Sequence, residues 1–359
     1  MPEAASSNVL VAIAIIAVAL VFDFINGFHD SANSIATIVS TRVLQPKYAV
    51  LWAAWWNFVA AFLLGLAVAG TIASKIIDPS IATNDVVFAA LVGAIVWDLI
   101  TWHLGIPSSS SHALIGGFAG AGVCAGGFGV MKWAGLQKPL IGIVLAPTLC
   151  LILGFATMLA ILWICRKVNP APANKAFRKL QLVSAAIYSL SHGGNDAQKT
   201  MGIICALLVG EGFLKMKDPS LGLSGSEVPI WVVLATHTAI ALGTLSGGWR
   251  IVKTMGSKIT KLRPVDGFAA ETAGGVMIIG FTELGFPVST THAIAGAIMG
   301  VGATKRLSAV RWGVSIRIVW AWILTIPASA TLAVAAYWLT HLVLGLFGPD
   351  QGAATAMLR

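Results

Sequence analysis

The chain has 359 residues, of which 57% are hydrophobic and 10% charged, with a formal net charge of +9. A soluble domain carries about 25% charged residues, so this balance excludes one and describes an integral, multi-pass membrane protein. The basic residues cluster at the ends of apolar segments instead of forming one patch, which argues for a lipid bilayer and against nucleic acid as partner.

Glu3 is the one charge near the N-terminus, and no clear small-residue cleavage site follows, so Val9 onward reads as a retained first helix, not a signal peptide. Single crossings are expected over 9–41, 48–73, 140–164, 180–209, 229–248 and 318–345. The stretches 86–122 and 266–303 each hold two helices with a break between them. Four basic groups belong on the cytoplasmic side: Arg42 with Lys47, Arg166 to Lys179, Arg250 to Arg263, and Lys305 to Arg317. The loops holding Lys75, Asp78, Asp85, Glu211 and Asp218 then face outward, as do both termini. On that topology 86–122 starts and finishes outside and 266–303 starts and finishes inside, so each reads as a reentrant helical hairpin. The compact loops, without a transit peptide, point to a bacterial-type inner membrane. Cys124, Cys150, Cys165 and Cys205 stand apart in apolar surroundings and read as packing residues.

The fold class expected is an all-α polytopic membrane protein: an inverted-topology repeat with broken transmembrane helices and two reentrant hairpins. Its parts are an N-terminal repeat over 1–165, a basic linker over 166–179, an inverted repeat over 180–347 and a tail over 348–359. Sequence supports the duplication independently. "GFHDSANSIAT" at 27–37 echoes "GGNDAQKTMGI" at 193–203, matching Asp30 to Asp196. "LGIPSSSSHALIGGFAGAG" at 104–122 echoes "LGFPVSTTHAIAGAIMGVG" at 284–302, matching His112 to His292.

Each motif has a chemical reading. Pro107 and Pro287 stop an apolar helix, and Ser108 to Ser111 and Ser289 to Thr291 are residue types that start the next one. The free N–H groups and dipole of a helix start attract an anion, and hydroxyls add donors without charge. Two such tips meeting at the membrane midplane would surround a tetrahedral oxyanion. Asp30 and Asp196 lie within apolar crossings, where an acid marks an ion or proton path. Gly27, Gly193 and Gly194 permit the helix to unwind there and expose carbonyls, and Asn33 and Asn195 add neutral oxygens. This is a hard-oxygen set suited to sodium, a proton or a metal that accompanies the anion.

With those four motifs in order, the chain resembles the inorganic phosphate transporter (PiT) family over essentially its full length. The resemblance implies symport of inorganic phosphate with sodium or protons, without a resident cofactor and with a homodimer as a plausible assembly. Carried over by position, Ser109, Ser110, Ser111, Ser289, Thr290 and Thr291 become phosphate ligands. Asp30, Asn33, Asn195 and Asp196 become cation ligands, with Asp30 and Asp196 holding the metal if the ion is sodium. His29, His112, Lys199 and His292 support them. The chain departs from the family pattern at His29, where many relatives have asparagine, and in its run of four serines. An imidazole titrates near neutral pH, which leaves room for proton coupling.

Competing readings stand beside these. Asp196 can be structural glue for Lys199, and single hydroxyls can bond to the preceding turn. His112 and His292 either touch substrate or orient the hairpins. Asp98, His103, Glu271 and Glu283 read as structural partners before proton or cation carriers, and Asp23 is given no role. At the level of function, the alternatives are a sulfate symporter of the same fold, a passive channel or receptor, and, more distantly, an intramembrane hydrolase using a serine beside His112.

Overall fold

The computed structural model describes residues 2–70, 81–131, 133–215 and 228–347. Lys75, Asp78, Asp218 and the tail 348–359 lie outside the described residues. In chain order the α-helices are α1 (Pro2–Ser40), α2 (Pro46–Leu63), α3 (Asn84–Leu104), α4 (Ser110–Gly126), α5 (Trp133–Ile164) and α6 (Pro170–Gly210). They continue with α7 (Ile230–Ser246), α8 (Trp249–Lys253), α9 (Pro264–Glu283), α10 (Thr290–Lys305) and α11 (Trp312–Phe347). The described residues contain no strand. By length and composition, Val9–Ser40, Asn84–Leu104, Pro139–Ile164 and Trp312–Val343 are each able to cross a membrane. The protein is therefore an all-helical integral membrane protein.

The two-helix segments turn at corners built alike. α3 ends at Gly105, whose φ is 65°, and α9 ends before Gly285, whose φ is 69°. Only glycine holds that left-handed conformation without strain. Ile106 N–H donates to Thr101 O and Gly105 N–H to Trp102 O, each at 2.9 Å; Phe286 and Gly285 repeat both bonds to Phe281 O and Thr282 O at the same length. This paired pattern seals the last carbonyls of a helix. Proline follows, and Ser109 and Ser289 then cap α4 and α10, their side chains accepting from His112 N and His292 N at 3.2 Å.

The unwinding expected at Gly27, Gly193 and Gly194 does not occur: α1 and α6 run unbroken through all three. These glycines serve close approach instead. A Cβ on Gly27 would lie 2.1 Å from Ile240 O, one on Gly193 would lie 2.6 Å from Asn57 O, and one on Gly194 would lie 2.2 Å from Leu64. The breaks fall in the neighbours that press on them. The expected crossing 48–73 is interrupted after Leu63, where Leu64 is extended. Gln198 of α6 satisfies that irregular backbone, donating to Gly65 O at 2.6 Å and accepting from Val68 N at 2.9 Å. On the other side α7 stops at Gly247 and the chain bends by 62° into α8 and its following π-turn. Gly248 N–H there donates to Ser31 Oγ of α1 at 2.5 Å. Irregular backbone persists at membrane depth only where protein groups satisfy it, which is what Gln198 and Ser31 do.

The apolar core has two parts. One gathers Phe22, Leu91, Leu114 and Ile204; the other gathers Ile35, Met158, Ile278 and Ile294. Along α1 the change comes between Phe22 and Ala32, and along α6 between Tyr188 and Ala197. The polar stretches of both helices fill that gap.

Candidate functional site

Two long helices and two helix starts meet in the gap. Asp30, Asn33, Asn195, Asp196, Lys199, Ser109, Ser110, Ser111, Ser289, Thr290 and Thr291 are all buried. Continuous helix through the acid motifs sets their spacing: His192, Asp196 and Lys199 lie at i, i+4 and i+7 and so project from one face of α6.

The structure brings the two motif types into contact. Thr290 Oγ1 donates to Asp196 Oδ2 at 3.2 Å and Thr291 Oγ1 to Asp30 Oδ2 at 3.4 Å. Asn33 Nδ2 donates to Thr291 Oγ1 at 2.9 Å and Thr290 Oγ1 at 3.3 Å. From the other hairpin, Ser111 Oγ accepts from Lys199 Nζ, which also bonds to Asp196 Oδ1 and to Val288 O. Lys199 thus joins an acid of α6, the start of α4 and the corner before α10. Asn195 Nδ2 donates outward to Thr282 Oγ1 at 2.7 Å, tying α6 to α9.

Around Asp30 the neighbours differ. His29 Nδ1 lies 2.6 Å from Asp30 Oδ1, and His29 Nε2 lies 3.0 Å from Thr101 Oγ1 and 3.4 Å from Ser108 Oγ. Asp98 of α3 is wholly buried and faces Ser110, with His29 and Asp30 within electrostatic reach. Three buried polar atoms of the expected phosphate and cation ligands, Asn33 Oδ1, Asn195 Oδ1 and Ser110 Oγ, have no hydrogen-bond partner. Buried polar atoms are rarely left so, and here they gather where two helix starts and two acids converge.

The sequence reading left out His192, Tyr188 and Asn57 and gave too little weight to Asp98 and Asp23. His192 Nε2 stands 3.3 Å from Asp196 Oδ2, and its Nδ1 lies 3.3 Å from Asn57 Oδ1 of α2, which continues to Thr244 of α7 at 2.9 Å. Ligand atoms of Asp30, His192 and Asp196 all fall within 4.8 Å of one another, so these three could hold a metal ion or smaller cation. Tyr188 OH donates to Thr290 O at 2.8 Å, holding the start of α10. The signal for His192 and Tyr188 was helical spacing from Asp196, hidden by the expectation of unwinding at Gly193 and Gly194. Asp98, read from sequence as a structural partner, is a third buried acid beside the cluster, and Asp23, given no role from sequence, is wholly buried on the same helix as Asp30.

His112 and His292 do not reach the acids. Their rings face each other with centroids 4.9 Å apart, and His292 stacks on Trp322 at 4.1 Å. They lock the two hairpins and α11 together. Glu271 bonds to Gln181 at 3.0 Å and to Ser184, away from the cluster. The hydrolase alternative placed a serine beside His112, but the His112 ring faces His292 and Ser111 accepts from Lys199; Ser108, which lies 3.4 Å from His29 Nε2, donates its hydroxyl to Thr101 Oγ1 at 2.8 Å instead.

Residues 26–333 match the sequence pattern of the phosphate transporter family. The chain is 56% identical over 333 residues to a probable low-affinity inorganic phosphate transporter of Rhizobium meliloti (strain 1021), covering 92% of this chain and 97% of that one. A protein of the same description from Bacillus subtilis (strain 168) is 46% identical, with 93% and 98% covered. Among solved structures, one titled "The sodium-dependent phosphate transporter" superposes with a TM-score of 0.80 at 25% identity, covering 93% of this chain and all of that chain.

Proposed function

The chain belongs to the phosphate transporter family and is a transporter, not an enzyme; from that premise we propose that it moves inorganic phosphate across the membrane by symport with a cation, a proton or sodium. In this reading the capped starts of α4 and α10 cradle phosphate through Ser109, Ser110, Ser111, Ser289, Thr290 and Thr291, with N–H groups and hydroxyls as donors. Asp30, Asn33, Asn195 and Asp196 serve the cation, and His192 joins them.

The observation that carries this reading is that both helix starts touch the two acids directly, through Thr290, Thr291 and, by way of Lys199, Ser111. Two carboxylates against one lysine leave the site with no surplus positive charge for an anion. A unit charge pair about 4 Å apart at an effective dielectric near 20 interacts by about 4 kcal/mol. Phosphate entering beside ionised Asp30 and Asp196 meets repulsion of that order unless a cation enters with it. Anion loading and cation loading then favour each other electrostatically, the binding linkage that symport builds on when the half-loaded carrier does not cross.

Alternating access in this reading comes from the two halves, 1–165 and 180–347, rocking about the shared site, with α3–α4 and α9–α10 as reentrant hairpins. The test is radiolabelled phosphate uptake into proteoliposomes under separate sodium and proton gradients. Accumulation above equilibrium in one arm, abolished by dissipating that gradient, is the expected result. Uptake indifferent to both gradients would replace symport by a passive pore, and rescue of sulfate uptake alone would replace phosphate.

A further inference from the structure

Asp23 lies about two helical turns before Asp30 on α1 and is wholly buried. Neither of its carboxylate oxygens has a hydrogen-bond partner of good geometry. Two neutral side chains face it, Thr200 of α6 and Asn26 of its own helix, both buried, and Thr200 Oγ1 and Asn26 Oδ1 also lack partners. The charged groups within reach are Asp196 and Lys199. The first repels, and the second is already engaged by Asp196, Ser111 and Val288 O. A buried carboxylate in that setting calls for a positive charge of its own.

The matched position in the second half sharpens the point. Aligning Asp30 with Asp196 places Ser189 opposite Asp23, and Ser189 Oγ simply donates to Ala185 O at 2.8 Å. The phosphate cradle is built from both halves; the extra acid belongs to one.

We propose that Asp23, Asn26 and Thr200 form a second cation site, distinct from the Asp30–His192–Asp196 cluster, that takes one monovalent cation per transport cycle. The carboxylate supplies a single negative charge and the amide and hydroxyl supply neutral oxygens, a hard donor set matched to a proton or to sodium. Thr200 is one turn beyond Asp196 and Asp23 sits on the helix of Asp30, so the site spans the same two helices as the first. Its filling neutralises an acid whose charge otherwise repels Asp196. The proposal rests on the symport reading above.

The experiment uses the full chain in liposomes with the membrane potential clamped and a gradient of about tenfold, sodium in one arm and protons in the other. End-point phosphate accumulation is compared for wild type, Asp23→Asn and Asp23→Glu. Losing one coupled ion lowers accumulation by Asp23→Asn about tenfold in the arm whose ion the site takes, and Asp23→Glu stays near wild type. Equal accumulation by wild type and Asp23→Asn overturns the site. If Asp23→Asn inserts but moves no phosphate, ions bound to the purified full chain are counted, sodium-22 in one arm and protons taken up by unbuffered protein in the other. One fewer ion per chain supports the site; equal counts overturn it. Gradient-free phosphate exchange by wild type is measured alongside. Its absence removes the symport reading itself, whereas its presence with equal accumulation removes the Asp23 site alone.

Discussion

The acid of α6 and the acid of α1 occupy matched places in a repeated motif, yet they are balanced differently. Asp196 is bonded to Lys199, a fixed positive charge, and has His192 at 3.3 Å. Asp30 has His29 at 2.6 Å, an imidazole whose charge depends on its proton, and a hydroxyl from Thr291. By position the residue matched to Lys199 is Asn33, which is neutral. Asp23 and Asp98 add further buried acid on or against α1, with no lysine among their direct partners. The α6 half therefore carries its counter-charge permanently, while the α1 half is left to obtain one. In the proposed symport reading the exchangeable positive charge therefore leans on the acids of α1, while the permanent lysine holds α4, α6 and the corner before α10 together.

Mutations can break or sharpen that contrast. The largest effect is expected from Asp30→Asn, which should reduce gradient-driven phosphate uptake to background while the protein still inserts; normal accumulation would remove Asp30 from coupling. Lys199→Met removes the lysine from buried Asp196, leaving it only His192 and Thr290, and should cost about 3–5 kcal/mol, read from thermal unfolding in detergent. Most of that loss should return in the double variant Lys199→Met/Asp196→Asn, and no recovery would mean that Lys199 acts chiefly through Ser111 and Val288. Gln198→Leu strips the bonds that satisfy the broken end of α2 and should cost about 1–3 kcal/mol, with α2 exchanging amide protons faster. Ser110→Ala, whose hydroxyl has no protein partner, should weaken phosphate binding by about fivefold and leave unfolding unchanged. The smallest effects are at the caps. Ser109→Ala and Ser289→Ala should each cost about 1 kcal/mol and by equal amounts, because the two corners share one geometry.

What the sequence made legible follows from how local each signal is. A proline after a glycine and before serines encodes a corner within a few residues, so both corners and both caps were readable, and so were the acids, which stand out in apolar helices. The breaks in α2 and α7 were not readable in the same way. They depend on contacts across the fold, Leu64 against Gly194 and Gly248 against Ser31, that no single segment contains. The same glycines that prompted an expectation of unwound helix turned out to be contact points, since a residue lacking a Cβ looks alike in sequence whether it frees the backbone or admits a neighbour. His192 was lost with that expectation, because its alignment with Asp196 exists only if the helix continues. Asp23 was given no role because nothing in its own segment marks it, and its burial against α6 is a tertiary fact.

The two sealed corners carry one more implication. At each corner Thr101 O and Trp102 O of α3, Phe281 O and Thr282 O of α9, and the His112 and His292 amides of α4 and α10 find partners within a few residues of the turn. Such an elbow is a prefabricated unit whose own turn bonds travel with it, so moving it past its surroundings leaves those peptide groups satisfied. Because His112, His292 and Trp322 hold the two elbows to each other and to α11, they would move as one preformed block in the proposed cycle, with the soft joint at the bend after Gly247.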